Sequence, residues 1–427
     1  MNKNAHGYAW FIFLLSAAFC AYEFVLRVKI SPLSNQLLTE FNTSANALGL
    51  LSSAFFYGYA PVQLLSGPLI QRYGPRKILI LSLTICTVST LFFAIAYHFA
   101  ILFFLRFLVG LGSGFAFVGA YILIANWFPS RQWPFLYGLL QFMSCLGAMY
   151  GQQLLAFFSV GMSWRRLSLI IGYSGLGLML LFYFFLKNHS KYQESPSLKA
   201  GNKLRFLSQL KRVAQNPSSY PIALYAFFTW GPITISATLW GPAFLAEKLL
   251  ISLTEASYLF SYTWLGIALG SPFIGYWATR VPYPKYLMLS CSALGFTASF
   301  FLLNQYIYSI GLYKFILFFL GFSTAAQPIS FVKIQQTNPE HCRGTSVGFN
   351  NTAVILSGAF LQPLSSFLIE HSHRLNQANY SYNYTLDNYH NGLVLMPVCF
   401  LISFILAACF IKEPLRLKNT VDQSLKP

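Results

Sequence analysis

Roughly twenty consecutive apolar residues make a helix that crosses the ~30 Å hydrocarbon core of a bilayer. This chain of 427 residues repeats such a stretch twelve times. The stretches are Tyr8–Val28, Ala47–Ile70, Ile78–Tyr97, Ala100–Phe128, Phe135–Val160, Leu167–Leu186, Tyr220–Ala246, Ala256–Ala278, Tyr286–Leu303, Tyr308–Ile334, Thr345–Ile369 and Gly392–Ile411. No alternation of the membrane β-strand kind repeats, and a span in lipid must satisfy its own backbone, so each stretch reads as a helix. Composition leaves no other class open. Charged residues are 9% of the chain, against roughly 25% in soluble domains, too few to cover a water-facing surface of this size. Disorder is excluded because 56% of the residues are hydrophobic. The first stretch imitates a secretory leader as far as Cys20, but bulky Phe19 breaks the small-residue cleavage pattern and the run continues to Val28. It is expected to remain as a span.

The positions of the basic residues give an orientation. With the N-terminus inside, 20 of the 28 Lys and Arg fall on inner loops. Five fall on outer loops (Lys29, Arg165, Arg166, Lys248, Arg374), and Arg27, Arg106 and Lys314 lie within or at the ends of spans. Cytoplasmic loops carry such an excess, so both termini are expected in the cytoplasm. The net charge of +18 is thereby accounted for without nucleic acid, since the charges are scattered between apolar runs and form no stripe. The expected domains are a six-helix bundle over 1–186, a basic cytoplasmic linker over 187–219, a second six-helix bundle over 220–412 and a cytoplasmic tail over 413–427. Six of the seven cysteines fall in apolar runs, Cys342 lies in a polar loop, and no CxxC occurs. Neither a disulfide framework nor a metal site is indicated, and no cofactor is expected.

The two halves match each other along the sequence. A shift of 208 residues places Gly67 on Gly275, Arg72 on Arg280, Lys77 on Lys285 and Arg106 on Lys314. A shift of 210 then places Pro129 on Pro339, Gly138 on Gly348 and Gln152 on Gln362. Parallel repeats of six spans place a binding site near the midplane, between the halves.

After the second span comes Gly67-Pro-Leu-Ile-Gln-Arg72-Tyr-Gly74-Pro-Arg76-Lys77. It resembles the signature loop of the major facilitator superfamily, Gly-x-Leu-x-Asp-Arg-x-Gly-x-Arg-Lys. The fourth span carries Arg106-Phe-Leu-Val-Gly110-Leu-Gly112-Ser-Gly114, similar to the family's Arg-x-x-x-Gly-x-Gly, and Trp127-Phe-Pro129, Trp164-Arg165-Arg166 and Leu239-Trp-Gly-Pro242 fit the same pattern. The resemblance implies an all-α membrane protein of twelve transmembrane helices in two pseudo-symmetric six-helix bundles. It implies a central cavity lined by spans one, four, seven and ten, with spans five and eleven beside it. It also implies conformational gating by Gly67, Gln71, Arg72, Gly74, Arg76, Lys77 and Arg280, the glycines letting helix ends approach closely. Gln71 stands where the family has an acid that latches the outward-facing state, and the echo Gly275-Tyr-Trp-Ala-Thr279-Arg280 lacks an acid as well. A latch here would rest on neutral hydrogen bonds. The fifth span has Gly147 and Gly151 without the proline of the family's antiporter signature, which speaks against drug:proton antiport.

Ionisable groups inside a span are costly unless paired or hydrated, so each is a functional candidate. Glu23 is the one acid; Arg27, Arg106 and Lys314 are the bases. A rise of ~1.5 Å per residue puts Glu23, Arg106 and Lys314 in one layer of the outer half, and Arg27 one turn above Glu23 on the same face. Either Glu23 forms a self-neutralising salt bridge with Arg106 or Arg27, or it carries a proton whose arrival frees its basic partner for substrate. The excess of positive charge favours a carboxylate or phosphate, held by Arg106 with Lys314 and Arg27; Lys314 could instead snorkel to the interface. Tyr22, Trp230, Gln327 and Asn351 are neutral candidates for substrate contact.

The expected function is secondary active transport by alternating access: proton-coupled uptake of a small polar nutrient such as an amino acid or organic anion. Na+ is the other coupling ion considered. The protein is expected to be a monomer in the lipid of a bacterial inner membrane, like nutrient permeases of the family. Export of a siderophore or drug, and a non-transporting membrane sensor, are the alternatives. No enzyme is expected, because the inner loops lack a cluster of His, Asp or Ser.

Overall fold

The computed structural model describes residues 3–186, 202–376 and 384–412. The tail and the first part of the expected linker, 187–201, lie outside the described residues. Among the described residues the chain forms helices and no strands. Twelve long rods follow one another: α1 (Lys3–Val28), α2 (Ala45–Tyr73), α3 (Pro75–Ile95), α4 (Phe99–Trp127), α5 (Trp133–Phe158), α6 (Trp164–Phe185), α7 (Ser219–Leu249), α8 (Leu253–Arg280), α9 (Lys285–Leu303), α10 (Ile310–Thr337), α11 (Arg343–Asn376) and α12 (Leu386–Phe410). Ten of these positions hold helices long and apolar enough to cross a membrane. The other two rods, α5 and α8, are long enough but more polar, with Gln141, Gln152 and Gln153 on one and Ser257, Ser261 and Thr263 on the other. These two pack on each other across the molecule, where Trp264 Nε1 donates to Gln152 Oε1 at 3.1 Å. The chain is a multi-pass integral membrane protein.

The sequence repeat is also a repeat of helix boundaries. α2 begins at Ala45 and α8 at Leu253, 208 residues on. α4 is interrupted at Gly114 and α10 at Thr324, 210 residues on. The 3-10 turns Ser130–Gln132 and Glu340–Cys342 keep that same spacing. Equivalent helices pack alike, α2 on α4 as α8 on α10, and α3 on α4 as α9 on α10.

Lipid tails are as apolar as leucine, so helices in a bilayer associate through close packing and hydrogen bonds, and small residues mark the contacts. A Cβ on Gly110 would strike the Phe55 carbonyl oxygen, and one on Gly58 the Phe107 carbonyl oxygen, so α2 and α4 touch backbone to backbone. Gly266 and Gly321 do the same for α8 and α10. Gly67 does not behave this way: a Cβ there meets nothing within 4 Å. Its expected close approach is absent in this conformation, because the two sets of rods are parted at that end. Gly74 has another role. Its φ of 89° makes the turn between α2 and α3, with its N–H donating to Ile70 O at 2.9 Å.

One long rod, α7, is also bent where a proline and a π turn interrupt it. Pro232 withholds an N–H inside α7, and a π turn follows over Ser236–Trp240. The amide of Gln362 on α11 donates to Thr234 O and to Thr238 Oγ1, both at 2.8 Å, binding the bend to its neighbour. Between α6 and α7 the basic helix Asn202–Gln215 lies against the start of α11, where Thr345 Oγ1 donates to Gln209 Oε1 at 3.0 Å.

Candidate functional site

Between the first six rods and the last six lies a cavity of about 1590 Å³. It opens at the end where α1 starts and α2 finishes, beside Gly67, Gly275, Thr279 and Gly344. That end carries Arg72, Lys77, Lys211 and Arg280, all exposed. The opposite end is sealed by contacts between the two sets of rods. Ser31 Oγ donates to Leu239 O at 2.8 Å, Gln153 Nε2 to Ser261 Oγ at 2.7 Å, and Thr254 Oγ1 to Ala156 O at 3.1 Å. The Ala45 N–H donates to Tyr384 Oη at 2.7 Å, and Tyr384 in turn donates to Glu370 Oε2 at 2.8 Å. The Phe24 and Trp264 rings meet with centroids 5.8 Å apart.

Arg27 reaches the cavity wall from the last turn of α1. One helical turn below it, Glu23 is fully buried. The spacing of four residues puts both side chains on one face. Arg27 Nη2 lies 2.6 Å and Nε 3.1 Å from the same oxygen, Glu23 Oε1. Glu23 Oε2 has no hydrogen-bond partner. The guanidinium also sits 4.6 Å from the centre of the Phe24 ring and 5.4 Å from that of Tyr59. Of the two partners that the sequence leaves open for Glu23, the ion pair is made with Arg27.

The remaining candidates divide between the cavity and its surroundings. Trp230, Gln327 and Asn351 line it with Arg27. Arg106 is fully buried off the wall, where Nη1 donates to Leu26 O at 2.6 Å and so caps the end of α1. Its Nε and Nη2 have no hydrogen-bond partner, and the guanidinium lies 5.1 Å from the Phe55 ring centre. Tyr22 is turned toward α6, where a Cβ on Gly175 would meet its hydroxyl. Lys314 is half-buried, with Nζ 5.8 Å from the Tyr262 ring centre, and is not among the lining residues. Lys29, counted above with the outer loops, is fully buried with Nζ 3.8 Å from the centre of the Phe93 ring. In the loop of the family motif, Arg72 and Lys77 are exposed, and Arg76 Nη2 donates to Tyr183 O at 2.9 Å. The side chain of Gln71 lies outside the described residues. Arg280 stacks on Tyr276 at 3.9 Å.

Sequence reasoning missed Tyr59, Gln63, Tyr121 and Tyr137, all on the wall. Gln63 bridges the two sets of rods: its Nε2 donates to Gly114 O at 3.0 Å and its Oε1 accepts from Asn351 Nδ2. A lone amide in the apolar run of α2, two residues after Pro61, was the available signal.

The family model described as "Major Facilitator Superfamily" matches residues 9–363 and again 241–422. The chain belongs to the Major Facilitator Superfamily. Among curated relatives in the superfamily it is 33% identical over 170 residues to the "Probable sulfoacetate transporter" of Cupriavidus necator. That match takes in 40% of this chain and 39% of the relative, so it spans less than half of the relative's length. The chain is 27% identical over 376 residues to the "Probable anion transporter 6, chloroplastic" of Arabidopsis thaliana, covering 82% of this chain and 70% of that one. A solved bacterial homolog of the human lysosomal transporter Spinster, inward-facing and unoccupied, superimposes with a TM-score of 0.74 at 16% identity, covering 95% of this chain and 99% of that one. These superfamily relatives are transporters, a class without enzymatic chemistry.

Proposed function

We propose that this protein is a proton-coupled importer of small organic anions that works by alternating access. The observation that carries this reading is Arg27 on the cavity wall, ion-paired to the buried Glu23 one helical turn away. An anion reaching Arg27 has to displace a carboxylate already there, and protonation of Glu23 removes that competitor. The Nε and Nη2 donors then turn to the substrate's anionic group as a two-pronged fork. Loss of the proton restores the pair and expels the anion, so proton and substrate travel together. The names of the relatives, for sulfoacetate and for anions, support the substrate class.

The excess of basic residues at the open end supports a cytoplasmic placement of that end and of both termini in a bacterial inner membrane. The bundle over 1–186 then rocks against that over 220–412, the open end closing over Gly67 and Gly275 as the sealed end parts. Import is the direction in which an inward proton gradient drives such symport.

The test is Glu23→Gln in proteoliposomes, with labelled organic acids and an imposed pH gradient. The variant is expected to keep anion exchange while uphill uptake falls at least tenfold and loses its pH dependence. Full pH-driven uptake by the variant would rule Glu23 out as the proton carrier.

A further inference from the structure

We infer that one small monovalent anion, of the size of chloride, binds between Arg106 and Lys29. The site lies off the transport cavity, toward the sealed end of the first six rods, and its occupant is not the cargo.

The first argument is the free edge of Arg106. Its Nη1 donates to Leu26 O at 2.6 Å, while Nε and Nη2 have no hydrogen-bond partner although the residue is fully buried. Those two nitrogens carry the parallel N–H groups with which a guanidinium grips an anion from the side. In Arg27 the same two nitrogens close on Glu23 Oε1. Arg106 holds out the same fork and receives no acceptor from the protein.

The second argument is charge. A guanidinium does not lose its proton in a protein, so burial cannot be relieved by neutralisation. Lys29 Nζ is fully buried as well, has no hydrogen-bond partner, and lies within electrostatic reach of Arg106. Two cations brought together out of water are unfavourable without a counter-charge. Among the described residues neither makes an ion pair: Glu23 is engaged by Arg27, and Glu40 by Arg165 of α6. The Phe55 ring, 5.1 Å from the Arg106 guanidinium, and the Phe93 ring, 3.8 Å from Lys29 Nζ, soften the cost without supplying a negative charge.

The third argument is size. Arg106, Lys29, Phe55 and Phe93 are all fully buried, and the backbone of Phe55 lies against Gly110 of α4. An organic acid would have to bring its carbon body into this packing. A monatomic anion brings none, and it accepts N–H groups from any direction. It would tie α4 to the turn that follows α1, one helix end away from the Glu23–Arg27 pair.

The experiment is thermal unfolding of the purified full-length protein while sodium chloride or bromide replaces sodium gluconate at constant ionic strength. An anion that binds only the folded form should give a saturable rise in melting temperature of about 2–4 °C. Lys29→Met should raise the half-saturating chloride concentration at least tenfold, and in gluconate it should melt no lower than the parent, because it removes an unpaired buried charge. Arg27→Gln should keep the full chloride response. Crystals of the full-length protein grown in bromide should show anomalous density beside Arg106 Nε and Nη2, a readout that stands even where Lys29→Met does not fold. Equal melting temperatures in chloride and gluconate, an unchanged response in Lys29→Met, or bromide density only elsewhere overturns the inference. Loss of the response in Arg27→Gln also overturns it, by placing the ion in the cavity, and leaves the proposed transport of anions standing.

Discussion

At the scale of single residues, the arrangement turns on which polar groups are already occupied. Glu23 and Arg27 neutralise one another through one carboxylate oxygen, and this was legible in the sequence as a spacing of four on a helix. Arg106 was not legible in the same way. Its depth along α4 follows from the rise per residue, but its rotational phase does not, and that phase turns it to the end of α1 and away from the cavity. Glycine positions sort by the same principle of occupancy. Gly110→Ala would drive a methyl group into the Phe55 carbonyl, and overpacking of that kind costs about 1–3 kcal/mol. Gly67→Ala adds a methyl group where nothing lies within 4 Å. Thermal unfolding of the purified variants is expected to show a clear drop for Gly110→Ala and almost none for Gly67→Ala; equal melting temperatures would contradict the packing described.

At the scale of elements, the apolar runs located ten helices long and apolar enough to cross a bilayer, and the two remaining runs fall on the rods α5 and α8. α5 and α8 are the less apolar pair, and Gln152 and Gln153 of the first with Ser261 and Trp264 of the second help to join the two sets of rods. The bends were less legible. Pro232 marked α7 in advance, but the π turn after it and its anchoring by Gln362 depend on a neighbouring helix that no local pattern reveals. The start of α2 illustrates how an element can serve the seal. Its first-turn N–H groups have no helical acceptor, and that of Ala45 is taken by Tyr384 from the far half of the chain. Tyr384→Phe removes that acceptor and the bond to Glu370, at a cost of about 1–2 kcal/mol. Hydrogen exchange of the amides at the start of α2 should accelerate several-fold in this variant, with exchange in α9 unchanged. If the start of α2 exchanges at its original rate, the tyrosine does not help to hold that end closed.

At the scale of the whole molecule, the repeat seen in the sequence reappears as matched breaks at Gly114 and Thr324 and matched glycine contacts. The two halves nevertheless differ in chemistry: both supply amides and rings to the wall, but its one arginine, with the buried acid paired to it, comes from the first half. An offset comparison finds the shared scaffold and cannot find this division, since Arg27 and Glu23 have no charged counterparts in the second half's wall. The mutual cancellation of these two side chains has an electrical consequence. The empty carrier presents a cavity whose one arginine is already neutralised, and in the proposed cycle a proton taken up with a singly charged anion would keep the sum at zero. Neither stroke of the cycle then moves charge through the field of the membrane, which would otherwise act on it at about 2.3 kcal/mol per elementary charge per 100 mV. Uptake into liposomes clamped with potassium and valinomycin should therefore stay constant as the potential is varied at fixed pH gradient, and a rate that follows the potential would mean that the pair does not balance the cargo.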